Sequence, residues 1–139
     1  MARLTILAFA ALTLGASPAA PAAQAPSALA QSMAGQWVFE GLPGAKSALR
    51  QCVGDIQALA QFEHRSRSCK QRVISNSASS TVVEYSCGEG EFGHSQVDVL
   101  TPRSLRISTQ GISGNQPFNY VLQAHRVGEC PKSVSASRH

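Results

Sequence analysis

The sequence predicts a mainly β domain: an antiparallel meander sheet, folded as a half-open barrel or small sandwich, with one short helix and two disulfides. Three observations predict it. The stretch from Cys69 to Cys87 reads as a β-hairpin with a cysteine at each end. Short runs of alternating apolar and polar residues recur along the chain, bounded by Gly, Pro, Asn or Ser. All four cysteines lie downstream of an apolar leader, the usage of an oxidising compartment.

The leader comes first in the chain. Leu4 to Leu14 is an uncharged, largely apolar run behind Arg3, too short to span a bilayer, and small residues and prolines follow it. That is the pattern of a secretory signal peptide. The small-x-small rule gives candidate cleavage sites after Ala22 (Ala20-Pro21-Ala22) and after Ala30 (Ala28-Leu29-Ala30). The second has the cleaner flanks and is favoured. The chain then divides into a signal peptide at 1–30, a flexible N-terminus at 31–35, a disulfide-stapled β domain at 36–130 and a flexible tail at 131–139. No cysteine lies near the cleavage region to take a lipid anchor, and no transmembrane segment remains after processing. Processing removes Arg3 and lowers the formal charge by one from +4, a mild excess that does not describe a nucleic-acid surface.

Within the domain, Gln36 to Leu42 alternates like a half-buried strand, with Trp37 and Phe39 on one side. Gly41 and Pro43-Gly44 turn the chain, and Ala48 to Val53 forms a second strand ending near Cys52. Asp55 is placed to cap a short helix whose Ile56, Leu59 and Ala60 share a face. Such a helix is too short to stand alone and must be held by packing. In the central hairpin, residues whose numbers sum to 156 face each other: Val73 with Val83, Gln71 with Tyr85, Cys69 with Cys87, Arg72 with Glu84, and Ile74 with Val82. One register therefore satisfies apolar pairs, a charge pair and a disulfide, and Asn76 to Ser80 reverses the chain. Pairing Cys69 with Cys87 leaves Cys52 for Cys130. Gly88 to Gly93 reads as a loop or bulged turn, His94 to Leu100 as a strand, Thr101 to Ser104 as a turn, and Leu105 to Thr109 as the next strand. Gly111 to Pro117 is a further reversal. Phe118 to Val127 is the last strand, and Gly128 to Cys130 closes the domain.

Chemistry is sparse in this pattern. There is no Gly-x-Ser-x-Gly elbow and no phosphate-cradling loop, and the glycine-rich Gly88 to Gly93 lacks the strand-to-helix context of dinucleotide binding. No Cys-x-x-Cys pair suggests a metal site. His64 and His125 are isolated and read as surface residues, while Trp37 and Tyr120 read as core. The segment Gln61 to Lys70 is the most basic part, and Arg65, Arg67 and Lys70 are its candidate contacts for a ligand or anion, against the plainer reading of a solvated loop. No catalytic residue, metal or cofactor is assigned. The expected function is a non-enzymatic, exported binding or envelope accessory domain whose partner is a small ligand, an envelope polymer or a protein. One alternative is a small hydrolase drawing acid and base from Glu89, Glu91 and His94. The other is a purely structural envelope protein.

Several residues together carry a resemblance. Gly35-Gln36-Trp37 opens the domain, Cys52 precedes a short helical segment, Cys69 opens a strand and Cys87 closes the next, Gly88-Glu89-Gly90 follows, and Arg126-Val127-Gly128-Glu129-Cys130 ends it. This arrangement resembles the bacterial domain-of-unknown-function 3617 family (DUF3617), whose domains open on Pro-Gly-Leu-Trp-Glu and close on Arg-x-x-Gly-Asp-Cys. The likeness covers about residues 34 to 130. Ala34 stands where that family has proline, and the segment after Pro43 lacks its Met-rich stretch. The resemblance implies an exported, periplasmic protein of proteobacterial type and carries over no catalytic residue.

Overall fold

The computed structural model describes residues 27–132. Seven strands form one antiparallel sheet: β1 (Gly35–Glu40), β2 (Leu49–Val53), β3 (Lys70–Asn76), β4 (Ser80–Gly88), β5 (Glu91–Thr101), β6 (Ser104–Ser113) and β7 (Gln116–Gly128). Their order across the sheet is β2-β1-β7-β6-β5-β4-β3, so β3 to β7 form the expected meander and β1 docks on β7. The sheet does not close, because β2 and β3 are its two edges. A 3-10 helix (Ile56–His64) and a 3-10 turn (Ala28–Gln31) lie against one face. No helix among the described residues is long and apolar enough to cross a membrane.

Two reversals are tighter than the alternation suggested. Between β4 and β5 only Glu89 and Gly90 turn the chain, both at positive φ (54° and 78°), and between β6 and β7 only Gly114 and Asn115 do, at 56° and 61°. Two-residue turns of this hand match the right-handed twist of the strands they join, which accounts for a Gly with Glu or Asn at both places. The strands therefore run further than the expected His94 to Leu100 and Phe118 to Val127. β5 starts at Glu91 and β7 at Gln116.

The central hairpin keeps the expected register from Lys70 to Val73, with Arg72 opposite Glu84 and Val73 opposite Val83. It then shifts by one: Ser75, not Ile74, faces Val82, and Asn76 faces Thr81. A one-residue bulge reverses the facing of everything beyond it. Here it turns Asn76 from the open face to the covered one, where its Oδ1 accepts from the Ala28 amide (3.1 Å) and the Thr81 hydroxyl (3.0 Å). Ile74 is left bulged and half exposed, and Val73 on this edge strand is 59% exposed although its partner Val83 is buried.

Both expected disulfides form, Cys69–Cys87 across the hairpin and Cys52–Cys130 between the end of β2 and the residues after β7. In the chain-entropy account, loops of 18 and 78 residues correspond to about 3 and about 4.5 kcal/mol.

The core lies between the sheet and its covering layer. Trp37 and Phe39 from β1, Val97 from β5, Leu105 and Ile107 from β6 and Leu122 from β7 meet Leu59 and Phe62 of the 3-10 helix. Asp55 caps that helix as expected, its Oδ1 accepting from Gln57 N at 2.9 Å. A kink at Gln61 follows, and its buried amide ties down the exit by donating to the carbonyls of His64 and Arg67 while accepting from Gln71.

Packing begins before the first strand, within and just ahead of the segment read as a flexible N-terminus at 31–35. Ala28 and Leu29 are fully buried, Met33 O accepts from Trp37 Nε1 (3.0 Å), the Met33 amide donates to Pro102 O, and β1 has begun by Gly35. The turn packs over β4 and β5 beside the 3-10 helix, and Leu29 joins the core there. The remainder of the expected signal peptide, residues 1–26, and most of the expected tail, residues 133–139, lie outside the described residues.

Candidate binding face

Strand alternation gives the sheet two chemically different faces. The covered face carries the core. The open face carries a row of five polar side chains in cross-strand register: Arg72 on β3, Glu84 on β4, His94 on β5, Gln110 on β6 and Asn119 on β7. Above it runs a second row, Lys70, Ser86, Phe92, Ile112 and Pro117. Three shallow hollows meet at His94. One of about 440 Å³ is walled by Lys70, Arg72, Glu84 and Phe92, one of about 280 Å³ by Phe92, Gln110 and Ile112, and one of about 170 Å³ by Gln96, Ser108 and Asn119.

The β3 end of the row is internally paired. Arg72 Nη2 donates to Glu84 Oε2 at 2.6 Å, and His94 Nδ1 lies 3.7 Å from Glu84 Oε1. The Arg72 hydrogen bond holds the Glu84 carboxyl below the usual carboxylate range. The β7 end is uncommitted. Among the described residues, the amides of Gln110 and Asn119 make no hydrogen bond, and neither does Lys70. Phe92 stands beside them with 51% of its surface exposed.

The candidate anion contacts do not gather into one site. Arg65 is engaged with its own helix: its guanidinium stacks 4.3 Å from the Phe62 ring centroid, donates to Phe62 O and holds Gln51 Oε1. Arg67 pairs with Glu91, lies 3.9 Å from Glu89 and donates to Cys87 O. Lys70 alone reaches the open face, where it lines the largest of the three hollows.

Glu89, Glu91 and His94 are likewise apart. Glu89 is at the turn tip, His94 is on the open face, and Glu91 points to the opposite side, where its Oε1 accepts from the Gly114 amide. Odd and even positions of β5 face opposite ways, so no pose of the strand brings Glu91 and His94 together.

The residue the sequence reading missed is His64. It is 3% exposed rather than superficial, packed edge-on to Tyr85 and Phe118, with Nε2 3.6 Å from Glu91 Oε2 and Nδ1 3.4 Å from the Tyr85 hydroxyl. Burial pushes its pKa down, Glu63 pulls it up and Arg67 pushes it down again. The Tyr85 hydroxyl is pushed up by burial and also reaches Thr109 and Ser95, which bond each other at 2.7 Å. Tyr120 is buried too and donates to Glu63 at 2.6 Å, and burial followed by that bond raises its pKa. These groups form a closed polar seam beneath the helix. The signal for it was the placement of His64 two residues after Phe62, masked by the charges on either side. Among the described residues no group of three His, Cys, Asp or Glu is arranged to hold a metal ion.

The two ends of the domain meet at one corner. Arg126 donates to Ala34 O (2.7 Å), pairs with Glu129 and lies over Gly35, where a Cβ would stand 2.5 Å from Arg126 Nε and from Gly128 O. The Cys52–Cys130 bridge closes the same corner. The opening and closing motifs of the sequence thus serve each other structurally. No family model matches the chain, and neither a curated protein nor a solved structure matches it.

Proposed function

We propose that this is an exported, periplasmic, non-enzymatic domain that binds an extended polymer of the cell envelope along the open face of its sheet. The observation that carries the reading is the uncommitted half of the His94 row: two amides with free donors and acceptors, beside an exposed phenyl ring. Five strands set the row's length at about 19 Å, from four interstrand steps of about 4.8 Å. A shallow strip of that length suits several units of a chain better than one enclosed small molecule. Amides offer paired donor and acceptor groups, which fit a hydroxyl- and amide-bearing glycan. Export is supported by the two disulfides and by the leader pattern. The resemblance to DUF3617 is consistent with the same compartment.

The test is co-sedimentation of the mature protein with isolated, protein-free cell-wall glycan, for the wild type and for a Phe92→Ala/Gln110→Ala variant. The wild type should sediment with the glycan and the variant should stay in solution with its melting temperature unchanged. Equal sedimentation of both, or none by the wild type, overturns the reading.

A further inference from the structure

We infer that the chain is processed at the Ala22–Ala23 bond and not at Ala30–Gln31, because the Ala28-Leu29-Ala30 triplet is part of the folded domain. The inference rests on the export reading above and on nothing said of the binding face.

Several small-x-small triplets follow the apolar run, Ala20-Pro21-Ala22 and Ala28-Leu29-Ala30 among them. Ala23-Gln24-Ala25 is followed by Pro26, so its scissile bond is a tertiary amide without an N–H. On sequence alone the triplet ending at Ala30 has the better flanks. Its position in the fold reverses that preference. Leu29 is 0% exposed and belongs to the same core cluster as Trp37, Phe39 and Val97. The Ala28 amide is bound by Asn76 Oδ1, and Ser27 Oγ lies 3.2 Å from Thr81 Oγ1. The register shift in β3 is what brings Asn76 to that amide, so a feature of the hairpin some fifty positions away in sequence is built around residues that a cut after Ala30 would discard. Gln31, which such a cut would make the N-terminus, donates to Ala78 O at 2.6 Å from its place at the end of the turn. Cleavage after Ala22 keeps every one of these contacts, because all begin at Ser27.

The reaction is hydrolysis of one peptide bond: water adds to the Ala22 carbonyl carbon, the C–N bond breaks, and the Ala23 nitrogen leaves as the new N-terminal amine. The experiment is intact-mass measurement of the product recovered from the periplasm of a bacterial host expressing the full chain, alone and as Ala22→Arg and Ala30→Arg variants. Ala30 is exposed in the fold, so arginine there does not disturb packing. The expected result is a chain starting at Ala23 for the wild type and for Ala30→Arg, and loss of that product for Ala22→Arg. A start at Gln31, or any other start within the chain, overturns the assigned bond. A full-length chain retained with Met1 or in the membrane fraction overturns the export reading instead, so the two failures are distinguishable.

Discussion

Leu29→Ala should destabilise the protein by about 3 kcal/mol. The side chain is fully buried, and truncating a buried leucine costs roughly 2.7–5 kcal/mol according to how far the site collapses. Leu29 sits in a short 3-10 turn rather than in the middle of a strand, so its surroundings relax more easily and the low end of that range applies. For a domain of this size each kcal/mol moves the melting temperature by roughly 4–8 °C, so the expected drop is about 12–24 °C. Met33→Ala, four positions further along and 45% exposed, serves as the control and should change stability by less than about 0.5 kcal/mol. Urea unfolding with the disulfides intact measures both. The single tryptophan supplies a local readout, since Trp37 is buried in the same cluster and its Nε1 donates to Met33 O. Detachment of the turn should shift its emission to the red before the far-ultraviolet dichroism is lost. A loss under 1 kcal/mol for Leu29→Ala would refute the claim that the turn belongs to the core.

Three other perturbations discriminate further. Gly35→Ala should cost about 2–3 kcal/mol, because Gly35 has φ +145° and a Cβ there meets Arg126 and Gly128 O; an unchanged urea midpoint would show that the corner yields freely. His64 binds its proton less readily folded than at its ordinary 6.5, so between the two values the unfolded chain holds more protons and stability falls as pH drops below about 6.5. Glu63, Glu91, Arg67 and Tyr85 face it, and His64→Gln should flatten the loss between pH 7.5 and 5.0; a wild type that gains stability on acidification would reverse the sign and refute the assignment. Removing the long-range bridge with Cys52→Ser/Cys130→Ser should cost about 4.5 kcal/mol in the chain-entropy account, to be read by thermal unfolding against the Cys69→Ser/Cys87→Ser pair, which should cost less.

How much of this was legible in the sequence differs from one stretch to the next. The hairpin was readable because two cysteines, a charge pair and an apolar pair all agree on one register, and agreement among independent constraints is what specifies pairing. Its bulge was not, since the residue that rewards the shift, Ala28, sits in a run of small residues that equally matches a cleavage signal. Alanine and leucine at that spacing satisfy a peptidase or a core, and only the tertiary surroundings decide which. His64 was hidden for a similar reason. Glu63, Arg65 and Arg67 make the segment look solvated, yet all three are folded back onto the protein, Arg65 on Phe62, Glu63 on Tyr120 and Arg67 on Glu91. Long side chains reach around a helix, so a charged run does not establish an exposed backbone.

The division of labour between the faces bears on what the domain does. On the covered face, among the described residues, His64 contacts Glu91 and Tyr85, Tyr120 contacts Glu63, and Glu91 contacts Arg67 and the Gly114 amide. These groups pair with one another across the helix and the strand ends, where they hold the covering layer to the sheet. A catalytic acid and base must instead converge on a shared space open to substrate. On the open face His94 has Glu84 as its neighbour, and that carboxylate is already bound by Arg72, while His125 stands on the same face at the far end of β7. What the open face leaves unspent is hydrogen-bonding capacity at Gln110 and Asn119 and apolar surface at Phe92, groups that recognise and do not transfer protons. Those open-face side chains hold no part of the fold together, whereas the corner at Gly35 and Arg126 and the seam at His64 keep the sheet in shape.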